Sequence, residues 1–92
     1  LADTVAPVTQ GYRVQLGAFR SSAAAVNFWA SLEQQRPDLF SGLHSFVETI
    51  YLQQRLIYRL QVGYFEGLEA IDRFCQAIVD TEIKSGCLGL NP

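Results

Sequence analysis

The stretch Tyr12-Arg-Val-Gln-Leu-Gly-Ala-Phe19 occurs a second time in the chain, forty-six residues later, as Tyr58-Arg-Leu-Gln-Val-Gly-Tyr-Phe65. The similarity continues beyond the motif, since seven of the seventeen positions in 12–28 are identical in 58–74. An internal repeat constrains a fold more strongly than local propensity does. We therefore expect two copies of one structural unit.

Both copies alternate between apolar and polar side chains, which is the pattern of a half-buried β-strand. The residues expected to face a core are Tyr12, Val14, Leu16, Tyr58, Leu60 and Val62. The residues expected on the opposite face are Arg13, Gln15, Gly17, Arg59, Gln61 and Gly63. A helix-like stretch follows each copy, so the repeated unit is predicted to be strand, turn and helix.

Four strands and two helices are predicted along the chain. The strands are expected at about 12–18, 45–52, 56–63 and 87–90, and the helices at about 22–35 and 67–84. Ser21 can cap the first helix and Pro37 ends it, whereas Gly86 suits the position that follows the second helix. No Asn-Gly or Asp-Gly pair marks the hairpin at Gln53 and Gln54, so its turn is predicted to exceed two residues.

The second strand alternates less cleanly than the repeated strands. Burying Glu48 without a partner would be unfavourable, so we expect Val47 and Tyr51 to face the core. This choice leaves the apolar side chains of Phe46 and Ile50 on the uncovered face.

The order β-α-β-β-α-β predicts an α+β fold of the RNP or ferredoxin-like kind, a four-stranded antiparallel sheet with two helices on one face. Right-handed crossovers give the strand order 4-1-3-2. The two repeated strands then become central, antiparallel neighbours related by a pseudo-twofold axis. The predicted result is a polar patch in the middle of the uncovered face, formed by Arg13, Gln15, Arg59 and Gln61.

Length and composition predict one domain, since 92 residues that are 49% hydrophobic suffice for a single core. Residues 1–10 lack periodicity and are interpreted as a linker, followed by the domain over 11–92. The chain does not begin with Met, so we interpret it as a piece of a longer, anchored or exported protein. No apolar run approaches the ~18–20 residues of a membrane span, so we expect no direct membrane contact here, and we expect a monomer.

The net charge of −2 argues against a partner that is held by charge alone. Nucleic-acid modules usually have a basic excess, whereas here seven basic residues stand against nine acidic ones. No nucleic acid is therefore expected as a partner. Glutamine amides and arginine guanidinium groups in the predicted patch can instead offer hydrogen bonds to a partner.

The two Tyr-Arg-x-Gln-x-Gly-x-Phe strands, each followed by a helix with an early Ala, resemble the SPOR domain (sporulation-related repeat) over about residues 12–90. The resemblance implies a bacterial module of the periplasm or cell envelope that binds peptidoglycan glycan strands stripped of their stem peptides. Such strands are enriched at the division septum, so the module would localise its parent protein there. The resemblance also implies division proteins as further partners, and it implies no cofactor. We expect the glycan to be bound as a neutral sugar ligand, because glutamine amides and arginine guanidinium groups donate to its hydroxyl and N-acetyl groups.

The resemblance also implies which residues contact the glycan. The Gln of the first motif falls on Gln15, and the Arg of the second falls on Arg59. The position after the first motif's Gly, often Ser in the family, falls on Ala18. An aromatic position two residues before the second Arg falls on Ile57, and an apolar position on the last strand falls on Leu88. Together with the patch residues Arg13 and Gln61, these form the predicted glycan site.

The two cysteines, Cys75 and Cys87, could approach each other because the second helix and last strand run antiparallel. An oxidising compartment would favour a disulfide, and two buried free thiols are the alternative. Together with His44, the only histidine, they do not complete a metal site. The acidic residues at the start of the second helix are interpreted as favouring its dipole, so neither catalysis nor metal binding is expected.

Two other functions are compatible with the predicted topology. RNA-recognition modules share the element order and read bases with aromatic residues on the central strands, but here Tyr12 and Tyr58 are predicted to point inward. A protein–protein interaction module could use the open face, and the outward positions of Phe46 and Ile50 favour it.

Overall fold

The two repeated strands pair at the centre of one antiparallel sheet. The computed structural model describes residues 11–91, so the linker predicted for 1–10 lies outside the described residues. The strands are β1 (Tyr12–Phe19), β2 (His44–Leu52), β3 (Arg55–Phe65) and β4 (Leu88–Leu90). Their order across the sheet is β2-β3-β1-β4, and every neighbouring pair is antiparallel. The predicted strand order and the α+β fold class are confirmed.

Three helices connect the strands: α1 (Ser22–Gln35), α2 (Pro37–Phe40) and α3 (Leu68–Val79). The Ser21 hydroxyl caps α1 by accepting the amide proton of Ala24 at 3.0 Å. Pro37 separates α1 from α2 as the first residue of the shorter helix, where its missing amide proton removes no hydrogen bond. The sequence pattern predicts no helix at Pro37–Phe40, because four residues are too few to show helical periodicity.

The core lies between the sheet and the helices. Inward strand residues pack in one cluster with Ala25, Trp29 and Leu32 of α1 and with Ile71, Phe74 and Ile78 of α3. The helix α2 adds Phe40, which is fully buried and meets the rings of Trp29 and Phe74 edge-on at 5.7 and 5.8 Å. Both long helices therefore cover one side of the sheet, and we call the opposite side the open face.

A β-bulge in β1 corrects the predicted alternation. Residues Gln15 and Gly17 pair with Gln61 and Leu60, so Leu16 and Gly17 together oppose a single residue of β3. Gly17 was predicted to lie on the open face, and this prediction is wrong. Ala18 takes the outward position opposite Arg59 instead. A regular period of two cannot reveal an inserted residue.

The repeat reproduces this irregularity in β3. Tyr12 pairs with Phe65 while Arg13 pairs with Gly63, which leaves Tyr64 as the extra residue. Tyr64 turns to the open face, and Phe65 returns to the core. In both copies, therefore, the residue after the motif's glycine lies on the open face.

The β2–β3 hairpin differs from prediction in its turn and in its burial. Leu52 pairs with Arg55, so the turn consists of two residues only, Gln53 and Gln54, with φ of 50° and 66°. Two positive φ values match the turn that suits the twist of a hairpin, although Asn and Gly adopt them more readily. The hairpin extends beyond the helices, so Tyr51 is 70% exposed rather than buried.

The chain after α3 also departs from prediction. The helix ends at Val79, and its last turn is followed by Thr81, whose hydroxyl donates to the Ile78 carbonyl. Gly86 is consequently not a helix cap. Its amide donates to the Leu16 carbonyl at 2.9 Å, and a Cβ there would lie 3.1 Å from the same oxygen. Gly86 thus allows this segment to approach β1 closely.

A disulfide joins Cys75 of α3 to Cys87, the residue before β4, with their Cα atoms 5.8 Å apart. The predicted pairing is confirmed. The bond fastens the short edge strand β4 to the helix that covers it.

Outside the sheet, Arg36 and Asp38 form a two-pronged salt bridge at the junction of α1 and α2, with distances of 2.9 and 2.7 Å. These hydrogen bonds lower the pKa of the Asp38 carboxyl and raise the pKa of Arg36. The pair is exposed and lies away from the open face. Within residues 11–91, no helix combines the length and the apolar character needed to cross a membrane.

Candidate functional site

The open face is an ordered array of side chains whose rows run across the strands. The central row consists of Phe46, Gln61, Gln15 and Leu88. On one side lies the row His44, Gly63, Arg13 and Leu90, and on the other the row Glu48, Arg59 and Ala18. The pairs Ile50–Ile57 and Leu52–Arg55 continue the array toward the hairpin turn. All seven predicted glycan-binding residues lie on this face.

The two repeated glutamines meet at its centre. Gln15 and Gln61 are direct partners in the β1–β3 ladder, as the pseudo-twofold axis predicts. The arginines of the two motifs are not opposite each other, because Arg13 pairs with Gly63 and Arg59 with Ala18. They flank the glutamine pair diagonally, one on each side.

Arg13 is held between two aromatic rings. Its guanidinium carbon lies 3.8 Å from the centre of the Phe46 ring and 5.4 Å from that of Tyr64. It also donates to the Gln61 Oε1 atom at 3.2 Å and to the Tyr64 hydroxyl at 3.1 Å. Gly63 leaves room for this side chain, since a Cβ there would lie 3.3 Å from the Arg13 Cγ atom. The orientation of Arg13 is therefore fixed before any ligand arrives.

Gln61 is the buried centre of a polar network. It is a buried polar residue of the open face, with only 3% of the residue exposed. The amide oxygen accepts from Arg13, and the amide nitrogen donates to the Glu48 carboxylate at 3.3 Å. Gln15, its repeat counterpart, is half-buried, and the structure gives it no side-chain hydrogen bond within residues 11–91. The amide of Gln15 is thus the one that can bind a ligand.

Arg59 lies beside Glu48 at 3.8 Å, and the two side chains are 39% and 48% exposed. An ion pair this long and this exposed contributes little to stability. Arg59 faces the small side chain of Ala18 across the ladder, and its guanidinium makes no side-chain hydrogen bond within residues 11–91, so it can donate to a ligand. A shallow cleft connects it to Arg13, Gln61 and Tyr64.

Apolar side chains border the polar centre. Leu88 on β4 is 58% exposed beside Gln15. Ile57 lies against Ile50 of β2, and it joins Leu52 and Ala18 in a second shallow cleft toward the hairpin turn. Such surfaces suit the apolar faces of sugar rings.

Three residues of this arrangement were not among the predicted site residues: Phe46, Glu48 and Tyr64. The signal for Tyr64 was present in the repeat, because position 64 corresponds to Ala18, which was predicted to face the ligand. Phe46 and Glu48 could be placed outward from β2 alternation, but their contacts with Arg13 and Gln61 depend on the register between β2 and β3. That register cannot be read from the sequence of either strand alone.

Comparison with known proteins gives consistent matches. A model of the SPOR domain family matches residues 8–88. The cell division protein FtsN of Caulobacter vibrioides (strain NA1000 / CB15N) is 38% identical over 65 residues, which cover 71% of this chain and 24% of that protein. The crystal structure of the RlpA SPOR domain from Pseudomonas aeruginosa aligns with a TM-score of 0.70 at 20% identity, covering 89% of this chain and all of that one. This chain therefore spans about a quarter of the FtsN relative, and the match to the solved structure concerns the fold.

Proposed function

This chain belongs to the SPOR domain family, and from that membership we propose that it is a non-catalytic module that binds peptidoglycan glycan strands lacking stem peptides. The ligand lies across the open face. The module thereby brings its parent protein to the division septum, in the periplasm or cell envelope. The similarity to a cell division protein supports this location.

The observation that carries the proposal is the pre-ordered polar centre of the open face. Gln15 and Arg59 present an amide and a guanidinium that are free of strong protein contacts, whereas Arg13 is already fixed by Phe46 and Tyr64. Donors and acceptors of this kind match the hydroxyl and N-acetyl groups of a glycan. Side chains that are ordered before binding lose less conformational entropy when the ligand binds.

The glutamines of the two motifs have different roles in this proposal. Gln15 contacts the ligand directly, and Gln61 positions Arg13 and Glu48 from beneath the surface. Leu88 and Ile57 contact ring faces at either side of the polar centre. Ala18 leaves room beside Arg59 for a bulky polymer.

The same geometry weighs against a nucleic-acid interface. The aromatic rings of Phe46 and Tyr64 on the open face pack against the guanidinium of Arg13, and their ring centres lie 5.3 Å apart. They are therefore not free to stack on bases in the way that sheet-based RNA modules require. A contact with another division protein is the remaining alternative use of this face.

A sedimentation assay with purified, protein-free sacculi tests the proposal. We expect more of the domain to bind sacculi whose stem peptides have been removed by an amidase than untreated sacculi. The double variant Gln15→Ala/Arg59→Ala should lose this binding. The matched control is Gln34→Ala/Arg73→Ala, which removes the same residue types from exposed positions on α1 and α3.

Equal binding to treated and untreated sacculi would contradict the preference for stripped strands. The protein–protein alternative would be favoured by two results together. The domain would bind both kinds of sacculi equally weakly, and it would capture a division protein that the double variant does not capture.

A further inference from the structure

Charge is distributed unevenly over the molecule, although the whole chain is acidic with a net charge of −2. The open face and the hairpin end carry four arginines, Arg13, Arg20, Arg55 and Arg59, against one carboxylate, Glu48. In the rest of the described residues, on the helices and their connecting segments, three cations stand against seven carboxylates. The surface that is proposed to meet the ligand is thus positive, and the net charge conceals this.

Three of these arginines form a regular row. Arg55 and Arg59 are four residues apart on β3, and Arg13 is level with Gly63, four residues further along the same strand. At a rise of ~3.3 Å per residue, the three positions are spaced by about 13 Å along the strand direction. Arg20 lies beside Arg55 in the cleft near the hairpin turn. A repeated spacing of positive charge suits a polymer with a repeated negative charge.

The guanidinium groups in this row keep donors for a ligand. Arg13 uses one N–H for Gln61 and one for Tyr64, out of the five that a guanidinium offers. Arg59 has only a long contact with Glu48, at 3.8 Å, and Arg55 is exposed at the hairpin turn. Guanidinium groups bind carboxylates through paired, charge-assisted hydrogen bonds, which are stronger than those to neutral hydroxyl groups.

From this row, and resting on the function proposed above, we propose that the ligand is recognised as a polyanion: a glycan with a free carboxylate on each repeating unit. Hydrolysis of the amide bond between glycan and stem peptide leaves such a carboxylate on the sugar. The preference for stripped strands then has a direct electrostatic cause. Arg13, Arg59 and Arg55 bind successive carboxylates, and the expectation of a neutral sugar ligand is replaced.

Neutralising the ligand tests this proposal. Binding of fluorescently labelled, amidase-treated glycan strands is measured by anisotropy, beside the same strands with their carboxylates converted to methylamides. We expect the methylamide strands to bind at least about tenfold more weakly, since three charge-assisted contacts become neutral. Only the carboxylate strands should weaken markedly between ~0.01 M salt, where charges act over about 30 Å, and ~0.15 M salt, where they act over about 8 Å.

Charge variants should act in opposite directions. Arg55→Gln is expected to weaken binding of the carboxylate strands about two- to fivefold, the range of one exposed ion pair. Glu48→Gln is expected to tighten it by a similar factor, because it removes the carboxylate beside Arg59 while the new amide oxygen still accepts from Gln61. Both effects should be much smaller for the methylamide strands, which carry no charge. The matched controls, Arg73→Gln and Glu69→Gln on α3, should leave both affinities unchanged.

The outcomes separate the two proposals. Equal binding of carboxylate and methylamide strands, independent of salt, would overturn the polyanion inference and leave glycan binding standing. Absence of binding to either strand would overturn glycan binding itself, and the inference with it. Equally tight binding of polyglutamate would show that charge alone suffices and would overturn recognition of the sugar.

Discussion

Replacing Gln61 by Ala should destabilise the domain far more than the same replacement of Gln15, although both are the Gln of the same motif and pair with each other in the sheet. Gln61 is buried and joined to Arg13 and Glu48. Gln15 is half-buried beside Leu88 and has no such partners within the described residues. The two variants therefore differ only in what surrounds the lost amide.

The magnitude follows from the contacts. The hydrogen bonds of Gln61 measure 3.2 and 3.3 Å, so each is assigned about 1 kcal/mol, below the usual range for charged partners. The buried methylene that Ala lacks adds about 0.8 kcal/mol. We expect Gln61→Ala to lower the free energy of unfolding by about 2–3 kcal/mol, and Gln15→Ala to lower it by less than about 1 kcal/mol.

Urea denaturation followed by tryptophan fluorescence measures both effects through the buried Trp29. With a slope of about 1 kcal/mol per molar urea, the midpoint of Gln61→Ala should fall by about 2–3 M at an unchanged slope. Gln15→Ala should retain a midpoint near that of the parent and yet bind glycan poorly. Equal midpoint shifts for the two variants would refute the reasoning, because they would mean that the network around Gln61 contributes nothing to stability.

Three further changes test the fold. Replacing Gln53 and Gln54 by Asn-Gly should stabilise the domain, because both positions have positive φ. We expect the free energy of unfolding to rise by about 1 kcal/mol and the thermal midpoint by roughly 5 °C. A lower midpoint would exclude this turn. Replacing Cys75 and Cys87 by Ser should lower the free energy of unfolding, measured by urea denaturation, by about 3 kcal/mol. Alkylation of the parent protein without reduction should leave its intact mass unchanged. The hydrogen bonds from Arg36 lower the pKa of Asp38 in the folded state. The ion pair therefore stabilises the fold at pH values above the pKa of Asp38 in the unfolded chain, and this stabilisation is lost as the pH falls through the pKa of Asp38 in the folded protein. Asp38→Asn should accordingly melt below the parent at neutral pH and together with it in strong acid, and a constant difference would contradict the ion pair.

The repeat made most of the fold predictable from the sequence. Two copies of one strand and one helix, with a second hairpin strand between them, leave few topologies that obey right-handed crossovers. The strand order, the helices on one face and the pairing of Gln15 with Gln61 all follow from that reasoning. So does the approach of Cys75 to Cys87, since it depends only on the placement of a helix over an edge strand.

What the sequence could not show depends on neighbours rather than on the residues themselves. Gln15 and Gln61 are equivalent in the repeat, but one lies beside Leu88 of β4 and the other beside Phe46 of β2. This difference buries one amide and leaves the other accessible. The bulge at Leu16 is likewise set by the pairing of β1 with β3, because the alternation of apolar and polar residues in one strand does not show whether an extra residue is inserted in the ladder.

We propose that the open face of the sheet binds stripped glycan strands, and a nuclear magnetic resonance titration can show which side of the sheet the ligand meets. Backbone amide signals and the side-chain signals of glutamine and arginine are followed as strands of defined length are added to isotopically labelled protein. We expect the largest shifts at Gln15, Arg13, Arg59 and Leu88 and none on the exposed face of α3. Shifts concentrated on the helices, or saturable binding that leaves the open-face signals unchanged, would contradict it.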